Sequence, residues 1–232
     1  MSTIEAALEL ARSNPKEYLA RFRHFTTPEV SKYFSLLSPE GFLTHLEAAW
    51  AVALASPWRQ PLRMSATFEW GAGSPVELWG LELTYLEGSK EQNLWLLEAA
   101  SLEAHAFDTL LAWSRKQLAS RKLSAPVFRV ASSRYGGYAT AAWVGTHWEQ
   151  TLQRFGPVTV RHMKLTSWDD TYDRGGLEYP AGASCSAQLV AGDGTQFNVD
   201  LGQVPRTEAA VLETWARETA RTHGITLETT RP

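Results

Sequence analysis

Leu110-Leu111-Ala112-Trp113-Ser114-Arg115 comes back later in the chain as Leu212-Glu213-Thr214-Trp215-Ala216-Arg217, with Leu, Trp and Arg in the same places. The offset is 102 residues, and at that offset Thr44-His45-Leu46-Glu47 returns as Thr146-His147-Trp148-Glu149. Trp95-Leu96-Leu97 falls opposite Phe197-Asn198-Val199. Self-similarity at one fixed spacing points to a repeated structural unit, and such a unit settles architecture before any chemistry is considered.

Working outward from these words, the elements fall into a matching order. Ser38-Pro39-Glu40 opens a helix whose apolar positions Phe42, Leu46, Ala49, Trp50 and Ala53 share a face, and which stops before Pro57. Three strands follow. Leu62 to Trp70 alternates, the turn Gly71 to Pro75 leads to Val76 to Leu86, and Glu87-Gly88-Ser89-Lys90 turns into Asn93 to Ala100. A helix over about Leu102 to Lys122 and a short strand, Val127 to Ala131, complete the set. The second half runs the same way: helix Ala139 to Phe155, strand Val158 to Trp168, a polar loop Asp169 to Gly182, then a hairpin over Ser184 to Val204 turning at Gly192-Asp193-Gly194. Helix Ala209 to Thr222, capped by His223-Gly224, and strand Ile225 to Thr229 end it. The N-terminal residues add a helix over Thr3 to Leu10, a break at Asn14-Pro15, a second segment over Lys16 to Phe25 and a helix start at Thr27-Pro28-Glu29.

The expected fold is therefore α+β. It has a helical segment over 1–38, a first helix–three-strand–helix–strand unit over 39–131, a linker over 132–138 and a second unit over 139–232. Each unit is expected to carry an antiparallel sheet, the pair forming an internal duplication about a pseudo-twofold axis. A cleft or saddle where the halves meet is the natural ligand or peptide site under that expectation.

Composition narrows the function classes. Hydrophobic residues at 44% and charged residues at 20% suit a chain that buries a real core. Ten tryptophans exceed what a core of this size needs, and Trp is enriched at subunit interfaces. A net charge of −3 argues against a dedicated nucleic-acid binder. One cysteine, Cys185, excludes an intrachain disulfide and fits a reducing cytoplasm. Met1 to Leu10 carries Glu5 and Glu9 and lacks a signal-peptide pattern, and no apolar run reaches a membrane span of roughly 20 residues. The richness in Ala, Leu, Arg and Trp suits a GC-rich bacterial genome.

Candidate chemistry is sparse. His45 and His147 occupy equivalent helix positions, each two residues before a Glu, and residues at i and i+2 on a helix do not face one another. A metal held by one His-x-Glu is thereby disfavoured, and buried or surface histidines are expected. Asp169, Asp170, Asp173 and Arg174 before Gly175-Gly176 lack the alternation of a calcium loop and read as a solvated surface loop. Cys185 reads as a small buried side chain. The linker holds Ser133-Arg134-Tyr135-Gly136-Gly137-Tyr138, in which Arg134, Tyr135 and Tyr138 are candidate contact residues. Arg115, Lys116, Arg121 and Lys122 crowd one helix end, where cations complement the helix dipole and could also form a phosphate-contacting patch. No catalytic, metal-binding or phosphate-loop pattern occurs, so no cofactor is expected.

The helix–three-strand–helix order resembles the double-stranded RNA-binding domain, but the last helices open on Leu102-Glu103-Ala104-His105 and Arg206-Thr207-Glu208, where the acidic Glu103 and Glu208 oppose contact with phosphates. The order over roughly residues 40 to 230 is also similar to the type III secretion chaperones and their YbjN-like relatives. Gln150 to Phe155 leading into Val158 to Trp168, and Thr195 to Val204 leading to Trp215, carry that likeness. The resemblance implies protein binding and homodimer formation, with no catalytic residues to carry over. The expected function is a cytoplasmic, non-enzymatic adaptor or chaperone-like protein that binds another protein and forms a homodimer. The alternatives are a nucleic-acid-associated protein using the basic helix end and linker, and an enzyme with a site between the repeats.

Overall fold

A computed structural model describes residues 3–22, 38–56, 59–69, 76–102, 104–120, 127–131, 138–169, 172–174 and 177–231. The chain is mixed α and β and divides into two compact units. One takes Met1–Phe68 and Pro75–Val127, the other Glu69–Ser74 and Phe128–Pro232.

The first unit begins with helices α1 (Thr3–Ser13) and α2 (Pro15–Phe22). Asn14 separates them: its side chain accepts from Glu17 N, and Pro15 opens α2 where its missing N–H is no loss. Both pack on α3 (Pro39–Leu54). Ser38 caps α3 by accepting from Gly41 N at 3.2 Å, a contact of about 1 kcal/mol. The apolar face read from sequence is the buried one: Phe42, Leu46, Ala49, Trp50 and Ala53 are all sequestered. Strands β1 (Arg59–Glu69), β2 (Val76–Glu87) and β3 (Lys90–Leu102) follow, with β2 between the other two and antiparallel to β3. Helix α4 (Ala104–Ser120) returns against α3 and β3. Trp113 crosses Trp50 edge-to-face at 5.7 Å and donates from Nε1 to Glu47 Oε1 at 2.9 Å. The Glu of the first Thr-His-x-Glu word thus ties two helices together.

The second unit holds β4 (Val127–Ala131, from Phe128 on), α5 (Ala141–Phe155), β5 (Val158–Trp168), β8 (Gly182–Ala191), β9 (Gln196–Pro205), α6 (Arg206–Thr222) and β10 (Leu227–Thr230). Its strands lie in the order β10-β5-β8-β9-β4. The expectation of an antiparallel sheet needs correction here. β5, β8 and β9 are antiparallel neighbours, but β10 pairs parallel to β5, Leu227 opposite Met163. The cause is the intervening helix: α6 carries the chain back along the sheet, so the next strand runs in the direction of β5. The turn after α6 is the expected one. Ile225 N donates to Ala220 O and Gly224 N to Arg221 O, with Gly224 at φ 67°.

Two bulges keep one face of this sheet apolar. In β5 the register shifts between Val160 and His162, so Val160, Met163 and Leu165 all point inward. In β9 Leu201 is the extra residue, with Gly202 at φ 101° and its N–H donating to Asp200 Oδ1. Val204 then rejoins the buried row of Phe197, Val199 and Leu201. Phe197 stacks between Phe155 and Phe128, at 4.2 and 5.7 Å. The segment read as a loop from Asp169 to Gly182 also needs correction: β6 (Tyr172–Arg174) and β7 (Leu177–Tyr179) form a two-stranded antiparallel ribbon within it.

Candidate functional site

The two repeat histidines are both fully buried. His45 Nδ1 and Tyr18 Oη share a hydrogen bond of 2.9 Å, so a residue of α2 anchors α3 through the imidazole. His147 stacks on Trp143 one turn away, 5.0 Å between ring centres. Burial strips water from both rings and pushes their pKa values down, to about 3 for His45 and about 4 for His147. Both are neutral core residues at physiological pH. Glu47 is engaged by Trp113 and, at 3.1 Å, by Gln117. Among the described residues no group of three or more His, Cys, Asp or Glu side chains is placed to hold a metal.

Cys185 lies in the core, 1% exposed, and its thiol is pushed up to about 12, first by burial and then by the Asp200 carboxylate. The native thiol is therefore expected to resist alkylation at pH 8, since the thiolate is the reactive form. Iodoacetamide labelling followed by mass spectrometry checks this: modification is expected only once denaturant is added, and rapid native labelling would contradict the burial.

Of the residues singled out from the linker and the basic helix end, Arg115, Lys116 and Tyr138 are described. Arg134, Tyr135, Arg121 and Lys122 lie outside the described residues. Arg115 is half-buried and Lys116 exposed, and both sit within α4 rather than in its last turn. Tyr138 is half-buried and its hydroxyl donates to Pro180 O, an acceptor it shares with Trp168 Nε1 at 2.6 Å. It pins the segment that leads into β8.

A surface feature lies instead on α6. Its buried side is Leu212, Ala216 and Ala220, and Glu208 reaches α5 by accepting from Ala141 N at 2.6 Å. The outward side carries a shallow, open depression lined by Ala210, Val211, Thr214, Trp215 and Glu218. Val211 is 58% exposed on this face, beside Ala210 and Trp215 and between Thr214 and Glu218. Trp215 is half-buried: its ring meets Trp148 edge-on at 6.5 Å and lies over Gly145, where any Cβ would come within 3.3 Å of the indole nitrogen. A glycine on α5 thus leaves room for the indole. Scattered exposed apolar residues need no explanation, but Ala210, Val211 and Trp215 are contiguous. Sequence reasoning took this stretch only as a repeated helix anchor. A helical projection of Arg206–Thr222 places Val211 opposite Leu212, Ala216 and Ala220, and that misplaced valine was the available signal.

The chain matches no family model, no curated protein and no solved structure. Among the described residues no helix is long and apolar enough to cross a membrane.

Proposed function

We propose that the protein acts by binding another protein, as a dimeric adaptor or chaperone-like molecule, with the outward face of α6 as its contact surface. The observation that carries this reading is the apolar stripe of Ala210, Val211 and Trp215 on a helix that is charged and polar around it. An aromatic rim beside a small aliphatic residue is the composition of an interface centre, with Thr and Glu forming a polar border. Its likeness in element order to the type III secretion chaperones supports the same reading.

We further propose that the two halves arose by duplication of one helix–three-strand–helix–strand unit. In support, His45 and His147 are both buried, Leu110 and Leu212 are both fully sequestered, and Trp113 and Trp215 each meet a tryptophan of the preceding helix edge-on. The duplicated helix is then the scaffold, and the exposed side of one copy carries the contact.

Val211→Asp tests the protein-binding reading. The side chain is exposed, so folding stability should change by no more than about 0.5 kcal/mol. Immobilised wild-type chain is expected to retain, near one-to-one, a protein that the variant releases. Equal retention by both, with unchanged circular dichroism, would remove α6 as the contact surface.

A further inference from the structure

We infer that β10 is a releasable strap: it leaves the edge of β5 as a unit while the rest of the sheet stays folded, and Glu228 with His162 and Lys164 forms the clasp that holds it shut. This device stands apart from the α6 face and does not depend on the protein-binding reading. β10 is four residues long and lies at the end of the strand order. Its ladder to β5 is parallel and runs from Leu227 opposite Met163 to Thr230 opposite Thr166. β5 is secured on its other side. It pairs with β8 from Val158 to Trp168, and α6 packs against it as well as against β8 and β9. Release of β10 therefore breaks one short ladder and leaves the longer one intact.

Burial explains why the short ladder is the weak one. β5, β8 and β9 each contribute a buried apolar row, whereas none of the four β10 side chains is buried. Leu227 and Thr229 stand beside the buried Met163 and Leu165, yet Leu227 is only half-buried and Thr229 is exposed. The cover of the helices thus stops at β5, and little apolar area returns to water when the strap opens. The side-chain bonds that hold it lie on the solvent face. Glu228 accepts from His162 Nε2 at 2.8 Å and lies 3.4 Å from Lys164 Nζ. The hydroxyls of Thr166 and Thr230 share a hydrogen bond of 3.0 Å. His162 first, then Lys164, holds the Glu228 carboxyl below the usual carboxylate range, as an engaged clasp requires. The three clasp side chains are 39% to 47% exposed, where water and salt weaken ion pairs. A clasp of that strength suits a strap that opens and recloses. Closed, β10 covers the backbone of Met163 to Thr166, an edge that would otherwise be open to pairing with another chain.

Native-state hydrogen exchange on the full chain, read residue by residue, tests the strap. The amides that bond β10 to β5 are expected to exchange at least about tenfold faster than those that bond β8 to β9, because they open without global unfolding. Glu228→Gln removes the charge of the clasp and should speed the β10 amides about threefold. Glu228→Lys sets a like charge against Lys164 and should speed them about tenfold. Neither substitution touches the core, so the β8 and β9 amides should keep their wild-type rates in both. Three results would each overturn the inference. The β10 amides could be as slow as those of β8 and β9, which would make the sheet one cooperative unit. Both variants could leave the β10 rates unchanged, which would remove Glu228 as the clasp. The variants could speed β8 and β9 as much as β10, which would show a loss of global stability instead of release of one strand.

Discussion

Lowering the pH from 7.5 to 5 is expected to destabilise the protein by about 2 kcal/mol for each buried repeat histidine. The sign follows from the two protonation states. In the folded chain burial holds the pKa of His45 down to about 3 and of His147 down to about 4, both below the ordinary histidine value of about 6.5. Above pH 6.5 both rings are neutral whether the chain is folded or not, and the stability is fully present. As the pH falls below 6.5 the unfolded chain gains protons that the folded chain refuses, and stability drains away until the folded pKa is reached. His45 meets the Tyr18 hydroxyl, and His147 lies against the Trp143 ring. Urea titrations at pH 7.5, 6 and 5 measure the loss. His147→Gln is expected to lower stability at pH 7.5 yet to flatten the pH dependence, because one of the two titrating groups is gone. A slope identical to that of the wild type would mean that His147 is not shielded as its burial implies.

The second large effect concerns Gly182, at the start of β8. A Cβ added there would come within 2.4 Å of Val204 O on the neighbouring strand, and within 3.1 and 3.3 Å of the Tyr138 and Trp168 rings. The oxygen belongs to backbone, so it cannot rotate away. The surrounding segment is fixed as well: Tyr138 and Trp168 both donate to Pro180 O, and Arg206 N donates to Ala181 O at 3.1 Å. Gly182→Ala should therefore cost about 3 kcal/mol through strand displacement and lost core packing. Gly192→Ala is the control, because a Cβ there meets nothing within 4 Å, and its effect should stay within about 0.5 kcal/mol. Thermal melts of the two variants beside the wild type decide the matter, and similar melts for both would show that β8 and β9 can part without loss.

Helix α3 shows what local sequence carries. Ser38, Pro39 and the 3.6-residue spacing of Phe42, Leu46, Ala49 and Ala53 specify its start and its buried face within the segment itself. The hairpin β8–β9 is equally local, since Gly192-Asp193-Gly194 supplies its turn and Thr195 N donates to Asp193 Oδ1. Tyr138 was legible only as an aromatic beside two glycines. Its hydroxyl is spent on Pro180 O, 42 residues away, and that acceptor could not be found from spacing. The α6 surface was legible in part: the repeat words identified the buried Leu212 and the Trp215 anchor, but the exposure of Val211 depends on which side of the helix α5 and the sheet cover.

By itself the sequence determined the α+β class, the main helices and the long strands, the Ser38 start of α3, the Gly224 turn after α6, and the core face of α3. Each of these depends on residues within a turn or two of one another. Only the tertiary structure decided that β10 runs parallel to β5, that β4 from Phe128 onward belongs with the second unit, that His45 and His147 are neutral and enclosed, and that Val211 stands in solvent beside Trp215. Those outcomes depend on contacts between segments far apart in the chain. Their energies come from desolvation and close packing, which no local pattern of residues encodes.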